Sequence, residues 1–203
     1  MRAAASDGAG ADAAAGCLGR KRTPGREPST GARHDGPPPG TSRRPHLVLR
    51  PLREADEAEL LRIHRTPEVT RWWDEPAAGF PWTDDPSATR LTIEVDGAVA
   101  GLIQFNEELE PRYRHASIDV FLDPGLHGRG LGSEAVRRVV VHLIAERGHH
   151  RITIDPALGN TAAIRAYEKA GFRRVGVMHR YERDTGARGW HDGLLMELLA
   201  EER

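Results

Sequence analysis

One cysteine, Cys17, stands among the 203 residues. It excludes an internal disulfide framework and any thiolate metal site, and fits a reducing, cytoplasmic compartment. No apolar run approaches the roughly 18 residues of a membrane helix, and the N-terminus lacks the apolar core of a secretory signal. Neither a His-Glu-x-x-His pattern nor a cysteine pair points to a metal. A formal net charge of −1 argues against a nucleic-acid partner. Lysine is scarce: Lys21 and Lys169 stand against a large excess of arginine. Residues 1–45 hold no aromatic and almost no large aliphatic side chain. Such a segment buries too little surface to offset its ordering entropy, so a disordered tail is expected there, as a basic docking arm or a passive extension. The tail carries eight basic and four acidic side chains, leaving 21 basic and 26 acidic in the rest. That mildly acidic body suits a cationic ligand, and solubility alone explains it as well.

What remains, residues 46–203, suffices for one domain with a core. Leu47 to Arg50 alternate as a first strand, stopped by Pro51. Residues 54–65 read as an amphipathic helix with Ala58, Leu61 and Arg65 near one stripe and Leu60 and Ile63 beside it, closed by Pro67. Loop is expected over 77–88. Leu91, Ile93 and Val95 form a strand, Asp96-Gly97 is a two-residue hairpin turn, and Val99, Gly101, Ile103 and Phe105 return. The acid-rich stretch 106–114 reads as a polar loop. Residues 115–122 alternate again: Ala116, Ile118, Val120 and Leu122 against Ser117, Asp119 and Phe121. A long helix from Leu131 ends near Arg147-Gly148. His149 and His150 open the next strand as ordinary surface or sheet-edge residues. Asn160 or Thr161 caps a helix through Lys169, ended by Gly171. Phe172–Arg183 and Trp190–Leu199 form a last strand pair, with a turn around residues 184–189. The order β-α-β-β-β-α-β-α-β-β predicts an α+β domain with one mixed sheet and helices on both faces.

Between the 115–122 strand and the long helix lie Gly128, Gly130 and Gly132. Glycines there let the backbone curl and aim free N–H groups at one spot, a socket for a phosphate. Leu131 stands where a mononucleotide loop needs lysine. Gly130, Gly132 and Ala135 fit the dinucleotide fingerprint, with Asp155 about 20 residues on. Those glycines, however, follow their strand almost directly, whereas here residues 123–129 intervene.

HGRGLG at 127–132 resembles the acetyl-CoA loop of the GNAT superfamily of N-acetyltransferases, and GNTAAIRAYEKAGF at 159–172 resembles that family's second cofactor-contacting segment. His127 departs from the usual Gln or Arg and retains a hydrogen-bond donor. The resemblance spans about 46–199. It implies the GNAT fold, a mostly antiparallel mixed sheet, and acetyl-CoA as cosubstrate. It places cofactor contacts on the backbone of Val120, Phe121 and Leu122, on His127, Gly128, Arg129, Gly130, Leu131, Gly132 and Ser133, and on Asn160, Ala163 and Tyr167.

Acyl transfer to an amine needs a deprotonated nucleophile, donors for the oxyanion and an acid for the thiolate. In the family the tyrosine placed like Tyr167 points its hydroxyl at the CoA sulfur; otherwise Tyr167 packs on the core beside Ile164. Asp119, mid-strand among apolar neighbours, either meets a cationic substrate or pairs with a structural arginine. RWWDEP at 71–76, Ile118-Asp119 and IDPALGN at 154–160 resemble segments of aminoglycoside 6′-N-acetyltransferases. That resemblance implies an acceptor cleft walled by Trp72 and Trp73, Asp119 as base, and Asp155 and Asp192 binding ammonium groups. Glu107, Glu108 and Glu110, read as loop residues, would add to its field. Each has a plainer reading: a core tryptophan pair, a solvated acidic loop, carboxylates that only make turns. The expected partner is a small amine, with neither nucleic acid nor membrane, for a monomer or a homodimer. Another amine, a siderophore hydroxylamine or a protein N-terminus fits the same scaffold, as does a non-catalytic acyl-CoA sensor.

Overall fold

The alternation at residues 115–122 produces a strand, β4 (His115–Leu122), at the centre of a seven-stranded sheet. The computed structural model describes residues 44–82, 87–184 and 189–202. The expected tail lies outside these apart from its last two positions, and the turn expected at 184–189 lies largely outside. The other strands are β1 (Leu47–Pro51), β2 (Thr89–Val95), β3 (Ala98–Glu108), β5 (Arg151–Ile154), β6 (Arg173–Arg183) and β7 (Trp190–Leu199). Their spatial order is β1-β2-β3-β4-β5-β7-β6, and only β4 and β5 run parallel. Four α-helices accompany them among the described residues: α1 (Glu57–His64), α2 (Pro67–Thr70), α3 (Leu131–Ala145) and α4 (Thr161–Ala170).

Two segments differ from expectation. Pro67 opens α2 rather than closing α1, because a missing N–H costs nothing at the first helical position. β3 runs on through Asn106, Glu107 and Glu108, which pair with Ser117, Ala116 and His115. Ladder bonds to β4 outweigh the poor strand propensity of the acidic residues.

Strand alternation sorts the core into two layers. On one face Ala116, Ile118, Val120 and Leu122 pack with Val136, Val139 and Leu143 of α3 and Ile164 of α4. On the other, Phe121 and its β3 neighbour Leu102 pack with Leu60, Ile63, Val69, Trp73 and Phe80. The stripe on α1 is rotated from its expected position. Leu60, Ile63 and His64 are buried while Ala58 is exposed, because the His64 ring meets Trp73, Phe80 and Phe121 edge-on at 4.9–5.5 Å. Asp56 fastens the start of α1 to the sheet. It accepts two bonds from Arg50 at 2.6 and 2.8 Å and one from Thr92 at 2.8 Å, which holds its carboxyl far below the usual carboxylate range.

One irregularity shapes the site. β4 and β5 pair only at Ala116–Ile152 and Ser117–Thr153. β4 then continues to Leu122, and the β5-facing edge of residues 118–122 has no strand partner among the described residues. Ladder bonding along that edge therefore stops after Ser117.

Candidate active site

The turn after β4 is fixed by its own side chains. Asp123 accepts from the Gly125 N–H at 2.8 Å and is paired with Arg62 of α1. The His127 Nε2 donates to the Leu122 carbonyl at 3.1 Å, so this histidine braces the turn. Gly128 and Gly130 have φ of +72° and +77°, and Gly130 is the N-cap of α3. A β-carbon at either would meet nothing within 4 Å, so the turn presents bare backbone to open space. At a helix start the N–H groups of Leu131, Gly132 and Ser133 have no intrahelical acceptor; the Glu134 N–H is bonded, to the Gly130 carbonyl at 3.0 Å. The macrodipole adds to the attraction for an anion. The diphosphate of coenzyme A fits this arrangement by charge, by donor geometry and by room.

The turn opens into a cavity of about 190 Å³ whose wall includes Val120, Phe121, Leu122, Gly132, Ala163 and Tyr167. Most of the expected cofactor positions therefore share one cavity, bordered by the unpaired edge of β4. Three do something else. Arg129 is exposed and outside the lining. The Ser133 hydroxyl donates to the Ala166 carbonyl at 2.9 Å, clamping α3 to α4, so only its N–H faces a ligand. Asn160 is 1 % exposed and caps α4, its side chain accepting from the Ala163 N–H at 3.1 Å. It holds the helix that carries Tyr167 rather than lining the cavity.

Tyr167 and Asp119 come from opposite layers. Tyr167 belongs to the α3–α4 face, whereas Asp119 shares the face of Phe121. Each is only 2 % exposed. Burial raises the Tyr167 hydroxyl well above its ordinary value, and the charges of Asp119 and Asp155 raise it further. The phenol therefore keeps its proton. Asp155, immediately after β5, is 6 % exposed. Burial pushes its carboxyl up, partly offset by a hydrogen bond from the Tyr181 hydroxyl of β6. Two buried carboxylates thus act on one protonated tyrosine where β4 and β5 part.

The remaining acceptor-side residues divide. The Trp72 ring lies against Gly159, 3.7 Å from where its β-carbon would be, and carries the Arg71 guanidinium at 4.7 Å. It therefore stands over the segment that follows Asp155. Trp73 does not wall a cleft: it is 9 % exposed and packs edge-on against Phe121 at 5.1 Å. Glu107 is corrected more fully. It sits two places beyond Phe105 on the α3 face, opposite Asp119, and is bound by Arg147 at 2.6 Å and His149 at 2.7 Å. His149 is accordingly buried, not a surface residue. Glu108 ends β3, exposed, and accepts from the Glu110 N–H at 2.8 Å. Asp192 lies within β7 rather than in a turn. It accepts from the Arg180 N–H at 2.8 Å and meets His179 at 3.0 Å, stitching a register shift in β6. Tyr181 was missed in the sequence, because that same shift hides which side of β6 faces Asp155. Gln104, also missed, donates to Asp119 at 3.2 Å. Among the described residues no group of histidine, cysteine, aspartate and glutamate could hold a metal ion, and no helix is long and apolar enough to cross a membrane.

Residues 46–173 match the model of the acetyltransferase (GNAT) domain. Spermidine N(1)-acetyltransferase of Escherichia coli K12 is 27% identical over 145 residues, covering 66% of this chain and 77% of the relative. Aminoglycoside N(6′)-acetyltransferase type 1 of Klebsiella pneumoniae is 29% identical over 155 residues, covering 65% and 76%. The crystal structure of aminoglycoside acetyltransferase AAC(6′)-Ib with coenzyme A and kanamycin superposes with a TM-score of 0.64 at 25% identity, covering 77% of this chain and 96% of that one.

Proposed function

The chain belongs to the GNAT acetyltransferase family and is an N-acetyltransferase that draws on acetyl-CoA; from this we propose that its acceptor is the primary amine of a small polycation, an aminoglycoside 6′-amine foremost. The observation that carries this is the pair of buried carboxylates, Asp119 and Asp155, at the parting of β4 and β5. Carboxylates gathered in a buried site attract cationic groups, and an acceptor with several ammonium groups can reach both. Trp72 over the Gly159 segment gives that acceptor an aromatic wall.

In this reading the N–H groups of residues 128–133 hold the diphosphate, and the free edge of β4 takes the pantetheine arm. Asp119 accepts a proton from the acceptor ammonium. The freed amine attacks the thioester carbonyl directly, forming the C–N bond. The backbone N–H groups of Val120 and Leu122, which alternate away from β3, donate to the developing oxyanion. The C–S bond breaks and the Tyr167 hydroxyl gives its proton to the departing thiolate; the nitrogen sheds its second proton, which restores the phenol, and Asp119 returns its proton to water. No acyl group passes through the enzyme.

A linear polyamine is the second reading, favoured by the 27% identity to a spermidine acetyltransferase. Thiol release from acetyl-CoA, followed against kanamycin-type aminoglycosides, spermidine, lysine derivatives, a hydroxylamine and N-terminal peptides, separates the two. The highest kcat/KM is expected with an aminoglycoside. A preference for spermidine moves the acceptor to the second reading. Tight CoA binding with no thiol release from any amine would make the chain a sensor.

A further inference from the structure

We infer that Arg90 and Gln104 are positioning residues that orient Asp119 and set the pH at which it takes a proton. The inference extends the reading of Asp119 as base. Its ground is a single row across three strands. In the register of the sheet Arg90 of β2 stands beside Gln104 of β3, and Gln104 stands beside Asp119 of β4. All three project to one face. The Arg90 Nε donates to the Gln104 Oε1 at 3.0 Å, and the Gln104 Nε2 donates to the Asp119 Oδ2 at 3.2 Å. Arg90 is itself anchored by its Nη1, which donates to the Pro81 carbonyl at 2.9 Å.

Donor and acceptor chemistry leaves the row one polarity. A guanidinium only donates and an ionised carboxylate only accepts. The amide between them must turn its oxygen to Arg90 and its NH₂ to Asp119. An unanchored glutamine could rotate about its last bond and present oxygen to the carboxylate; Arg90 prevents that. The hydrogen bond from Gln104 favours ionised Asp119 against the burial that opposes it. It also fixes the orientation of the carboxylate through Oδ2. Titratable groups near Asp119 among the described residues include Tyr167 on α4, Tyr181 on β6 and Asp155 after β5, with His64 of α1 packed on Phe121. From the β2–β3 side Gln104 offers Asp119 an oriented amide donor.

The test follows the Asp119 carboxyl carbon by NMR in the full chain, assigned as the resonance lost in Asp119→Asn. In Gln104→Leu the titration midpoint is expected to rise by about one pH unit. In Arg90→Ala it should rise by less. In the double variant it should rise no further than in Gln104→Leu, since Arg90 acts through the amide. Gln104→Met gives a second variant of similar length should leucine disturb folding, and Gln104→Glu, facing Asp119 with oxygen, should give the largest rise. The acid limb of kcat/KM should move in parallel, with KM for acetyl-CoA unchanged. Midpoints that stay put in folded Gln104 variants, or Arg90 and Gln104 effects that add, would overturn the inference. The reading of Asp119 as base fails separately, if Asp119→Asn keeps full activity while the midpoints move as described.

Discussion

His149 is buried with its Nε2 2.7 Å from the Glu107 Oε1, on the face of the sheet opposite Asp119. The carboxylate accepts, so Nε2 carries the proton. Arg147 binds the second oxygen at 2.6 Å. Glu107 thus ties the end of β3 to the turn between α3 and β5 and serves stability.

Glu107→Ala is expected to destabilise the fold by about 1–3 kcal/mol, since it strands a buried imidazole. Its hydrogen bond to Arg147, then that to His149, holds the Glu107 carboxyl below its ordinary value. The contribution is therefore full above the ordinary glutamate pKa and fades as pH falls through the depressed one. Urea midpoints of wild type and Glu107→Gln between pH 3 and 8 should converge at the acid end, with thiol release at pH 7.5 unchanged in both. A tenfold loss of activity in the variant would return Glu107 to the acceptor cleft.

Tyr167→Phe should lower kcat by about 10- to 100-fold and leave KM for acetyl-CoA within about twofold, as removal of a general acid does. The wild-type phenol, raised by burial and by two carboxylates, should give no basic limb in the pH–rate profile below its ordinary pKa of 10.0. Steady-state kinetics with both substrates varied decides between this and a packing role, which would show as lost cofactor affinity.

Asp155→Asn should stabilise the protein and weaken the acceptor together. Burial raises the Asp155 carboxyl above its ordinary 3.8, so the native state holds the extra proton and stability falls as pH rises through that window. The neutral amide escapes this cost. Melting at pH 7 should rise by about 2–4 °C, with no gain near pH 3, while KM for a polycationic acceptor rises about tenfold or more. A lower melting temperature would instead assign Asp155 a structural pairing role.

The readable parts of this chain are those where backbone geometry dictates residue type within a few positions. Gly128 and Gly130 are required by positive φ, Asn160 by a helix start, and Gly171 by a left-handed helix end. Side-chain alternation in β4 alone places Asp119 opposite Val120. The unreadable parts depend on register. Glu107 and Glu108 look like loop because acidic residues disfavour strands, yet pairing with β4 extends β3 through them. Trp72 and Trp73 are adjacent in a segment without a repeating period, so nothing local says which one faces inward. Arg90, Gln104 and Asp119 lie 14 and 15 positions apart and form a row only once three strands align. Tyr181 lies inside the register shift between Met178 and Glu182, where simple alternation no longer gives the side a residue faces.

The family match begins at residue 46, and we propose that the catalytic domain begins there too. A chain lacking residues 1–44 should keep its melting temperature and its kcat/KM within about twofold. Calorimetry and thiol release on the truncated protein check this, and a clear loss of either would make the N-terminal segment part of the enzyme.

Coenzyme A diffused into crystals of the full chain tests the central claim most directly. The diphosphate is expected within hydrogen-bond distance of the N–H groups of residues 128–133, with the pantetheine arm along the free edge of β4 and its sulfur beside the Tyr167 hydroxyl. A diphosphate bound away from that turn, or a thiol directed away from the parting of β4 and β5, would contradict it.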